Sequence, residues 1–285
     1  MRLVIISGVS GSGKSVALHV LEDLGFYCVD NIPVGLLKPF VDEIVRRNDP
    51  AFDDVGIGLD ARSRPRDLAQ VPTLLHELRA SGISCEIIFL QTDTKVLLSR
   101  FSETRRKHPL SDDTTSLQEA IAKERELLAP ISNSAELVID TTRMSVSALR
   151  EQIRERVAPR TPGSVSIMIE SFGYKNGLPA NADFVFDVRC LPNPYWEPQL
   201  RPLSGKDEPV REFLDAAPMV QRMVLDITAF LEEWIPRYQD FQRSYLTVAI
   251  GCTGGMHRSV YVAEAVAKQL AAKHGNIRTH HSEVR

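Results

Sequence analysis

Short apolar runs alternate along this chain with longer stretches in which apolar residues recur every three or four positions. Five runs in the first half are typical of strands: Leu3–Ile6, Phe26–Asp30, Val55–Asp60, Cys85–Leu90 and Leu137–Asp140. Helical spacing follows each run, at residues 16–24, 36–45, 68–78, 95–101 and 146–157. Strands that alternate with helices predict an α/β fold, with a parallel sheet, helices on both faces and right-handed crossovers.

The second half continues this alternation after a break. Residues 158–164 contain two prolines and a glycine, which end the preceding helical pattern. Further strands are predicted at residues 165–170, 184–189 and 246–250, and helices at 219–238 and 262–270. We therefore predict two domains, residues 1–158 and 165–285, joined by a linker at 159–164, with the second a smaller α/β domain.

The first apolar run leads directly into the most informative motif. Its sequence fits G-x-x-x-x-G-K-[ST], and a helical pattern follows it. Glycines let the backbone turn tightly and approach a phosphate, and the helix N-terminus adds positive potential. In such loops the lysine reaches the β- and γ-phosphates and the hydroxyl binds Mg²⁺. We also predict a catalytic role for Lys14. The residues predicted to bind ATP are Gly8, Val9, Ser10, Gly11, Ser12, Gly13, Lys14 and Ser15.

Two acids compete for a place beside the bound metal. Asp30 and Asp60 each end a predicted strand, at the edge where parallel α/β sheets bind ligands. We favour Asp60 as a catalytic residue and, with Ser15, as a Mg²⁺ ligand, because Arg62 follows it and can contact a phosphate or base. Asp30 would then orient a water or an acceptor substrate. Either acid also fits a solvated strand end or a helix cap.

The segment Arg100–Pro109 is a basic cluster that follows a predicted helix. Placed over a nucleotide, it resembles the arginine-bearing lid of small-molecule kinases, in which Arg105 and Arg106 would neutralise charge on the transferred phosphate. Arg105 is the catalytic residue of this interpretation. The alternative is a solvated basic face paired with Glu103 and Glu124.

A second glycine-rich loop joins a predicted strand to a predicted helix at residues 251–259. It fits an anion-binding nest, and its spacing matches C-x₅-R-[ST], in which Cys252 would attack phosphorus and Arg258 would grip the phosphoryl oxygens. Because no aspartate general acid stands out, we favour a non-catalytic pocket for a phosphorylated small molecule. A structural cysteine in a helix-capping turn is the third interpretation. The residues predicted to bind the phosphorylated ligand are Asp187, Arg189, Cys252, Thr253, Gly254, Gly255, His257 and Arg258.

Composition and charge narrow the function classes only a little. Of the 285 residues 43% are hydrophobic and 25% charged, and the formal net charge is −3, so no global feature indicates nucleic acid or a membrane. The four scattered cysteines predict free thiols in a reducing cytoplasm rather than a zinc site. No apolar run approaches the ~20 residues that span a bilayer, and we expect no signal peptide. The basic tail after Lys268 predicts either a surface for an anionic polymer or a solvated end.

Several of these segments together resemble the RapZ (YvcJ-like) family of nucleotide-binding proteins, which includes RNase adapters of enteric bacteria. The resemblance runs nearly end to end, and its last two segments are the most specific. The residues that carry it are Ser7–Ser15, Gly25–Asn31, Arg100–Pro109, Glu170–Gly173, Phe184–Trp196 and Ala249–Tyr261.

The resemblance implies a two-domain cytoplasmic protein that forms homo-oligomers and has weak ATPase and GTPase activity. It implies a C-terminal domain that binds RNA and senses an amino-sugar phosphate through the Cys252–Arg258 loop. In enteric members this domain presents small RNAs to an endoribonuclease. The family's D-x-R-[SN] segment further implies that a guanine nucleotide contacts Asp60, Ala61, Arg62 and Ser63.

We therefore expect a regulatory protein that binds ATP or GTP with Mg²⁺, hydrolyses it slowly, and binds an amino-sugar phosphate and small RNA through its C-terminal domain. Three alternatives stay open. The first is a small-molecule kinase that uses the phosphate loop and the basic lid. The second is a cysteine phosphatase that uses Cys252 and Arg258. The third is a structural RNA adapter whose nucleotide only stabilises the fold.

Overall fold

The chain divides into two units, Met1–Ala158 and Pro159–Arg285, and each has its own hydrophobic core. The computed structural model describes residues 1–104, 107–111, 114–157, 165–179, 181–240 and 245–284. The linker predicted at residues 159–164 lies outside this described part.

The described residues of the first unit form a parallel sheet with the strand order β2-β3-β1-β4-β5. Its strands are β1 (Arg2–Gly8), β2 (Tyr27–Val29), β3 (Asp54–Gly58), β4 (Ser84–Gln91) and β5 (Leu137–Asp140). Each strand coincides with one of the predicted apolar runs. Because β1 lies between β3 and β4, the loop that follows it leaves from the middle of the carboxyl edge of the sheet.

Helices cover both faces of this sheet: α1 (Lys14–Asp23), α2 (Val34–Arg47), α3 (Pro65–Leu68), α4 (Val71–Ala80), α5 (Thr94–Thr104), α6 (Leu117–Ser132) and α7 (Val146–Val157). A Cβ on Gly56 would lie 3.0 Å from Leu21 of α1, so Gly56 faces α1. Its neighbours Val55 and Ile57 belong instead to the core shared with α2, α4 and α6. Because successive strand residues point to opposite faces, the predicted α/β fold with helices on both faces is confirmed.

Two helical segments differ from the sequence prediction. The single helix expected at residues 68–78 is two helices, α3 and α4. Pro72 has no backbone N–H to donate within a helix, so it fits best in a first turn, and a new helix, α4, begins there. Helix α6 is not predicted by the apolar pattern. It begins at a capping box, in which Glu119 N donates to Ser116 Oγ at 3.2 Å and Ser116 N donates to Glu119 Oε2 at 2.8 Å.

The described residues of the second unit form a smaller parallel sheet with the order β7-β8-β6-β9, as the prediction of a second α/β domain requires. Its strands are β6 (Ser166–Gly173), β7 (Phe184–Asp187), β8 (Tyr245–Cys252) and β9 (Ile277–His281). Its helices are α8 (Glu208–Asp215), α9 (Pro218–Asp240) and α10 (Arg258–Leu270). Helix α10 packs on β6, β8 and β9, so the loop between β8 and α10 lies at the carboxyl end of the central strands.

The basic tail is not a solvated end throughout. Residues Ile277–His281 pair in parallel with β6 as an edge strand. The His281 side chain is 5% exposed, with Nε2 2.9 Å from Glu264 and Nδ1 2.8 Å from Ser171. The interpretation of the tail as a solvated end is therefore wrong for the residues of β9 that pair with β6, although Arg278 remains exposed.

All four cysteines are free, as predicted. No helix in the described part of the chain has both the length and the apolar character needed to cross a bilayer. Within the same residues, no three His, Cys, Asp or Glu side chains come together in a way that would hold a metal ion.

Candidate functional site

The loop between β1 and α1 depends on glycine for its path. Gly8, Gly11 and Gly13 have φ angles of +145°, +86° and +108°, which other residues rarely adopt. A Cβ on Gly8 would lie 2.2 Å from the Leu90 carbonyl oxygen, and one on Gly13 would lie 2.6 Å from Leu149. The backbone therefore passes close to β4 and α7 before it enters α1, whose first N–H groups have no partner within the helix.

Three side chains from other elements hold successive residues of this loop. Glu124 on α6 accepts hydrogen bonds from Ser10 N at 2.8 Å and Ser10 Oγ at 2.7 Å. Arg100 on α5 and Thr141 after β5 donate to the carbonyls of the next two residues, at 2.9 and 3.0 Å. The protein itself thus fixes the conformation of the loop.

Lys14 begins α1, and its Nζ donates to the Gly8 carbonyl at 2.6 Å. Burial lowers the pKa of the Lys14 ammonium, while the charges of Glu124, Asp60 and Asp30 act in the opposite direction. The ammonium therefore interacts with three carboxylates, most strongly with that of Glu124.

The segment after β3 forms a turn around a buried carboxylate. Asp60 is 6% exposed, and it accepts hydrogen bonds from Arg62 N at 2.9 Å and from Arg62 Nε at 2.7 Å. This pairing raises the pKa of the Arg62 guanidinium. Ala61 is buried and Ser63 is half-buried, with Ser63 N 3.4 Å from the Asp60 carbonyl. Of the four residues predicted to contact guanine, Arg62 is thus the most exposed.

The predicted Mg²⁺ ligands differ in their availability. Ser15 is exposed in the first turn of α1. Both carboxylate oxygens of Asp60 accept hydrogen bonds from Arg62, so a cation at Asp60 would compete with the Arg62 guanidinium. The competing acid, Asp30, is exposed and makes no hydrogen bond to any described residue. Hydroxyl and carboxylate oxygens are the donors that Mg²⁺ prefers, so the residues present fit this ion.

The basic cluster contains buried, exposed and undescribed residues. Arg105, which we predicted to be catalytic, and Arg106 lie outside the described residues. Arg100 donates to the phosphate loop, and His108 is buried with Nε2 3.0 Å from Glu124 Oε2. Glu124 is itself fully buried. The interpretation of Glu124 as a solvated partner of a basic face is therefore wrong.

The sequence analysis assigned Glu124 only to a basic face and missed its contact with the phosphate loop. A lone glutamate indicates nothing by itself, because most such side chains are solvated. The available signal was the capping box at Ser116 and Glu119, which marks the start of α6. From that start, Glu124 falls on the same helix face as the buried Ala120 and Leu128.

In the second unit, β8 runs into the second glycine-rich loop. Gly255 has a φ angle of +74°, and a Cβ there would lie 2.7 Å from Gly173 N. A Cβ on Gly173 would lie 2.8 Å from the Gly254 carbonyl carbon. The loop and the end of β6 therefore approach backbone to backbone. Thr253 is exposed, so the loop opens to solvent at this point.

Cys252 lies inside this loop and is 3% exposed. Gly255 N donates to Cys252 Sγ at 3.2 Å, and Ser259 Oγ lies 3.2 Å from the same sulfur. These contacts hold the turn together. The burial of the sulfur leaves it without the access that an attacking thiolate needs.

Arg258 and His257 tie the loop to the segment before α8. Arg258 Nη1 donates to the carbonyls of Arg189 at 2.7 Å and Leu191 at 3.1 Å, and His257 Nε2 lies 3.2 Å from the Leu200 carbonyl. Arg258 is 5% exposed, and its Nε–H has no partner among the described residues. An anion would satisfy this buried N–H at the start of α10.

Asp187 is the last residue of β7 and lies opposite Gly251 of β8, and Arg189 follows the strand. Their side chains form an exposed ion pair, with Nη2 2.6 Å from Oδ2, and this hydrogen bonding lowers the pKa of Asp187. The Arg189 guanidinium also stacks 4.1 Å from the centroid of the Tyr174 ring. The sheet thus places both residues beside the Cys252–Arg258 loop, although their charges are engaged with each other.

A cavity of about 790 Å³ lies elsewhere in the second unit. Residues of α8, α10 and β9 line it, among them Asp215, Tyr261 and Glu264. None of residues 251–258 contributes to its wall, so this cavity does not support the ligand site predicted in the loop.

The first unit shows the features of a defined class of protein. A central parallel strand leads through a loop with three glycines at positive φ into a helix that begins at Lys14. This is the arrangement in which backbone N–H groups, a helix N-terminus and a lysine receive nucleotide phosphates. The fold and this loop define a P-loop nucleotide-binding protein with an additional α/β unit.

Comparison with known proteins identifies the family. Residues 1–161 match the RapZ-like N-terminal domain, and residues 165–285 match the RapZ C-terminal domain. The chain is 49% identical, over its full length and 97% of the relative, to a nucleotide-binding protein of Marinobacter nauticus. It is 50% identical, over its full length and 98% of the relative, to one of Alkalilimnicola ehrlichii. The chain belongs to the RapZ family of nucleotide-binding proteins, which confirms the resemblance seen in the sequence.

Two solved structures resemble about half of the chain. Shikimate kinase from Bacteroides thetaiotaomicron covers 54% of this chain and 97% of its own, with 15% identity and a TM-score of 0.37. Thymidylate kinase from Candida albicans covers 54% of this chain and 89% of its own, with 15% identity and a TM-score of 0.33. Similarity at this level does not identify an activity.

Proposed function

We propose that this protein is a regulatory NTPase that hydrolyses ATP or GTP slowly with Mg²⁺ and binds an amino-sugar phosphate and small RNA through its second unit. The observation that carries the proposal is the braced phosphate loop. Glu124, Arg100 and Thr141 hold successive loop residues, and Lys14 stands at the start of α1. A loop that is already in place binds phosphate without the entropic cost of ordering it.

In the proposed complex, Lys14 exchanges its bond to the Gly8 carbonyl for one to a phosphate oxygen. Ser15, with Asp60 or Asp30, would hold Mg²⁺, which when bound neutralises charge on the phosphates. Slow turnover is consistent with the hydrogen bonds that the carboxylates of the site already accept. Glu124 already accepts three hydrogen bonds and Asp60 is engaged by Arg62, so neither is free to orient an attacking water.

Release of inorganic phosphate from ATP and GTP across a series of Mg²⁺ concentrations tests this activity. Ser15→Ala should raise the Mg²⁺ concentration for half-maximal rate at least tenfold, because the hydroxyl would be a metal ligand. Ser102→Ala, on an exposed position of α5, is the control and should behave as the wild type. Equal Mg²⁺ requirements in Ser15→Ala and wild type would contradict the assignment.

The segment Asp60–Ser63 is proposed to contact the guanine base of GTP. The exposed Arg62 and the half-buried Ser63 support this, because both follow β3, the strand next to β1, at the carboxyl edge of the sheet from which the phosphate loop also leaves. Arg62→Ala should raise the KM for GTP more than the KM for ATP. An equal change in both values would show that Arg62 serves the fold or the phosphates rather than the base.

The proposed site for an amino-sugar phosphate is the Cys252–Arg258 loop. Its support is the buried Nε–H of Arg258, the first residue of α10, which has no hydrogen-bond partner among the described residues, together with the exposure of Thr253 in the same loop. A phosphate satisfies that N–H and the helix terminus together. The Asp187 carboxylate, beside the loop, would bind the ammonium group of an amino sugar in exchange for its pair with Arg189.

Calorimetric titration with glucosamine-6-phosphate tests this site. Arg258→Ala should weaken binding at least tenfold, whereas Arg222→Ala, which breaks an exposed pair with Asp226, should have no effect. Glucose-6-phosphate, which lacks the amine, should bind more weakly than glucosamine-6-phosphate. Equal affinity of Arg258→Ala and wild type would remove the loop from consideration.

A small-molecule kinase is the second candidate function. Asp30 favours it, because this exposed carboxylate has no hydrogen bond within the described chain and interacts with Lys14, where it suits an acceptor hydroxyl. A kinase requires nucleotide turnover that rises steeply with one acceptor metabolite. Turnover that stays flat across phosphorylatable metabolites supports the regulatory NTPase instead.

A further inference from the structure

Glu124 places a fixed negative charge at the phosphate loop. Its carboxylate accepts two hydrogen bonds from Ser10 and one from His108. Burial disfavours the charged form, but the hydrogen bonds and the nearby Lys14 ammonium outweigh it and lower the pKa of Glu124. Because both carboxylate oxygens accept hydrogen bonds, the side chain is fixed and its charge stays beside the phosphate loop.

The histidine that contacts Glu124 does not neutralise it. Leu110 N donates to His108 Nδ1 at 3.1 Å, so this nitrogen is an acceptor and carries no proton. The ring proton therefore lies on Nε2, which donates to Glu124 at 3.0 Å. In a doubly protonated ring, Nδ1–H and the Leu110 N–H would be two hydrogen-bond donors that face and repel each other. His108 is thus a neutral donor, and the pair keeps one net negative charge.

This charge acts on the place where a nucleotide phosphate would bind. Among charged groups, Glu124 interacts with Lys14 more strongly than Asp60 or Asp30 does. Lys14 is the residue that reaches the phosphates in loops of this type. Asp60 is paired with Arg62, and Asp30 is exposed to water. Glu124 is therefore the buried carboxylate of the site that accepts no hydrogen bond from a described lysine or arginine.

We propose that Glu124 determines specificity by making the nucleotide site select metal-bound over metal-free nucleotide. The proposal rests on the nucleotide binding proposed above for Gly8–Ser15. A divalent cation cancels two negative charges of the triphosphate, so the repulsion from a buried, immobile carboxylate acts mainly on the metal-free anion. The protein's own charge thereby strengthens the metal dependence that the Mg²⁺ ligands alone would give.

The test compares affinities of the full chain for the non-hydrolysable analogue AMP-PNP, measured by calorimetry in Mg²⁺ and in EDTA. The informative quantity is the ratio of the Kd in EDTA to the Kd in Mg²⁺. Glu124→Gln keeps the size of the side chain and removes its charge, so this ratio should fall about tenfold, mainly through tighter metal-free binding. A weakened hydrogen bond to Ser10 would affect both Kd values and cancel in the ratio.

His108→Gln is the matched control, because it keeps a donor toward Glu124 and leaves the charge in place. Its ratio should equal that of the wild type. Glu124→Met, which fills the site without a polar group, repeats the test if Glu124→Gln does not fold. An unchanged ratio in the neutral variants, or an equal fall in His108→Gln, would overturn the proposal. A wild-type chain that does not bind AMP-PNP even with Mg²⁺ would instead refute nucleotide binding, and this inference with it.

Discussion

At Gly8 the chain has room for a hydrogen atom and nothing larger. The residue has a φ angle of +145°, and a Cβ would lie 2.2 Å from the backbone oxygen of Leu90 in β4. That oxygen belongs to the central sheet and cannot move aside. The start of the phosphate loop is therefore set by one residue, and the position of Lys14 depends on it.

Gly8→Ala should destabilise the first unit by about 1–3 kcal/mol, the usual cost of overpacking and of a strained φ angle. Chemical denaturation followed by circular dichroism measures this change. Gly35→Ala is the matched control, because a Cβ there meets nothing within 4 Å and the residue lies in α2. It should be neutral or stabilise the protein by up to about 1 kcal/mol. Equal effects of the two substitutions would contradict the steric account.

Residue identities at fixed spacing were the most predictable part of the site. The loop Gly8–Ser15 could be read directly because its chemistry depends on neighbours in the chain. The contact between Glu124 and Ser10 joins residues 114 positions apart, so no local pattern indicates it. Arg62 and Asp60 are only two positions apart in the chain. The sequence nevertheless does not show whether the Arg62 side chain binds this carboxylate or a ligand, because that depends on its conformation.

At the scale of the element, helix α6 begins at an exposed cap and contacts the phosphate loop through its buried face. Its N-terminus is closed by Ser116 and Glu119, and its buried face carries Glu124. An N-cap accepts hydrogen bonds from the first N–H groups of a helix, which have no acceptor within the helix. Loss of the cap therefore destabilises the first turn.

Ser116→Ala should reduce the free energy of unfolding of the first unit by about 1 kcal/mol, the usual cost of losing a serine N-cap. Ser116→Asp should restore most of the loss, because aspartate caps helices as well as serine does. Urea denaturation of the full chain, followed at the helical signal, provides the values. A stability of Ser116→Ala equal to that of the wild type would argue against the cap.

Strand β9 should respond to pH through His281. Burial lowers the pKa of His281, with Lys206 and His280 acting in the same direction and Glu264 opposing them. A folded-state pKa below the ordinary value of 6.5 means that protonation favours the unfolded strand. The stability contributed by β9 should therefore be complete above about pH 6.5 and decrease as pH falls toward the folded-state pKa.

An NMR titration of the His281 ring should give a midpoint below 6.5, and His281→Gln should remove the pH dependence of amide exchange in β9. The exposed His76 of α4 would provide the reference signal in the same titration. A midpoint at or above 6.5 for His281 would contradict the desolvation argument.

The elements that the sequence did not reveal share a physical cause. Strand β9 consists mainly of polar residues, and it is a strand because its backbone pairs with β6. Helix α6 carries a buried glutamate at a position where an apolar residue would have completed the helical pattern. In both cases tertiary contacts outweigh local preference, whereas the central strands of both sheets are apolar and were predicted correctly.

At the scale of the whole molecule, the two units have separate cores and match two separate domain families. We therefore expect residues 165–285 to fold alone and to keep the proposed ligand functions of the second unit. RNA binding by this segment should weaken steeply with rising salt, as contacts to phosphates require, and should weaken further with glucosamine-6-phosphate. Filter binding across a salt series measures both effects. No RNA binding, with the sugar phosphate still bound, would indicate a metabolite-sensing NTPase whose output is not RNA.

The most direct test of the central claim is calorimetric titration of the full chain with Mg²⁺-ATP and Mg²⁺-GTP. The structure predicts one binding site per chain at the loop Gly8–Ser15, with affinity reduced at least tenfold in Lys14→Ala. Lys38→Ala, which breaks only an exposed pair with Asp42, should bind as the wild type does. Equal affinities of Lys14→Ala and the wild type for both nucleotides would contradict the nucleotide site in the first unit.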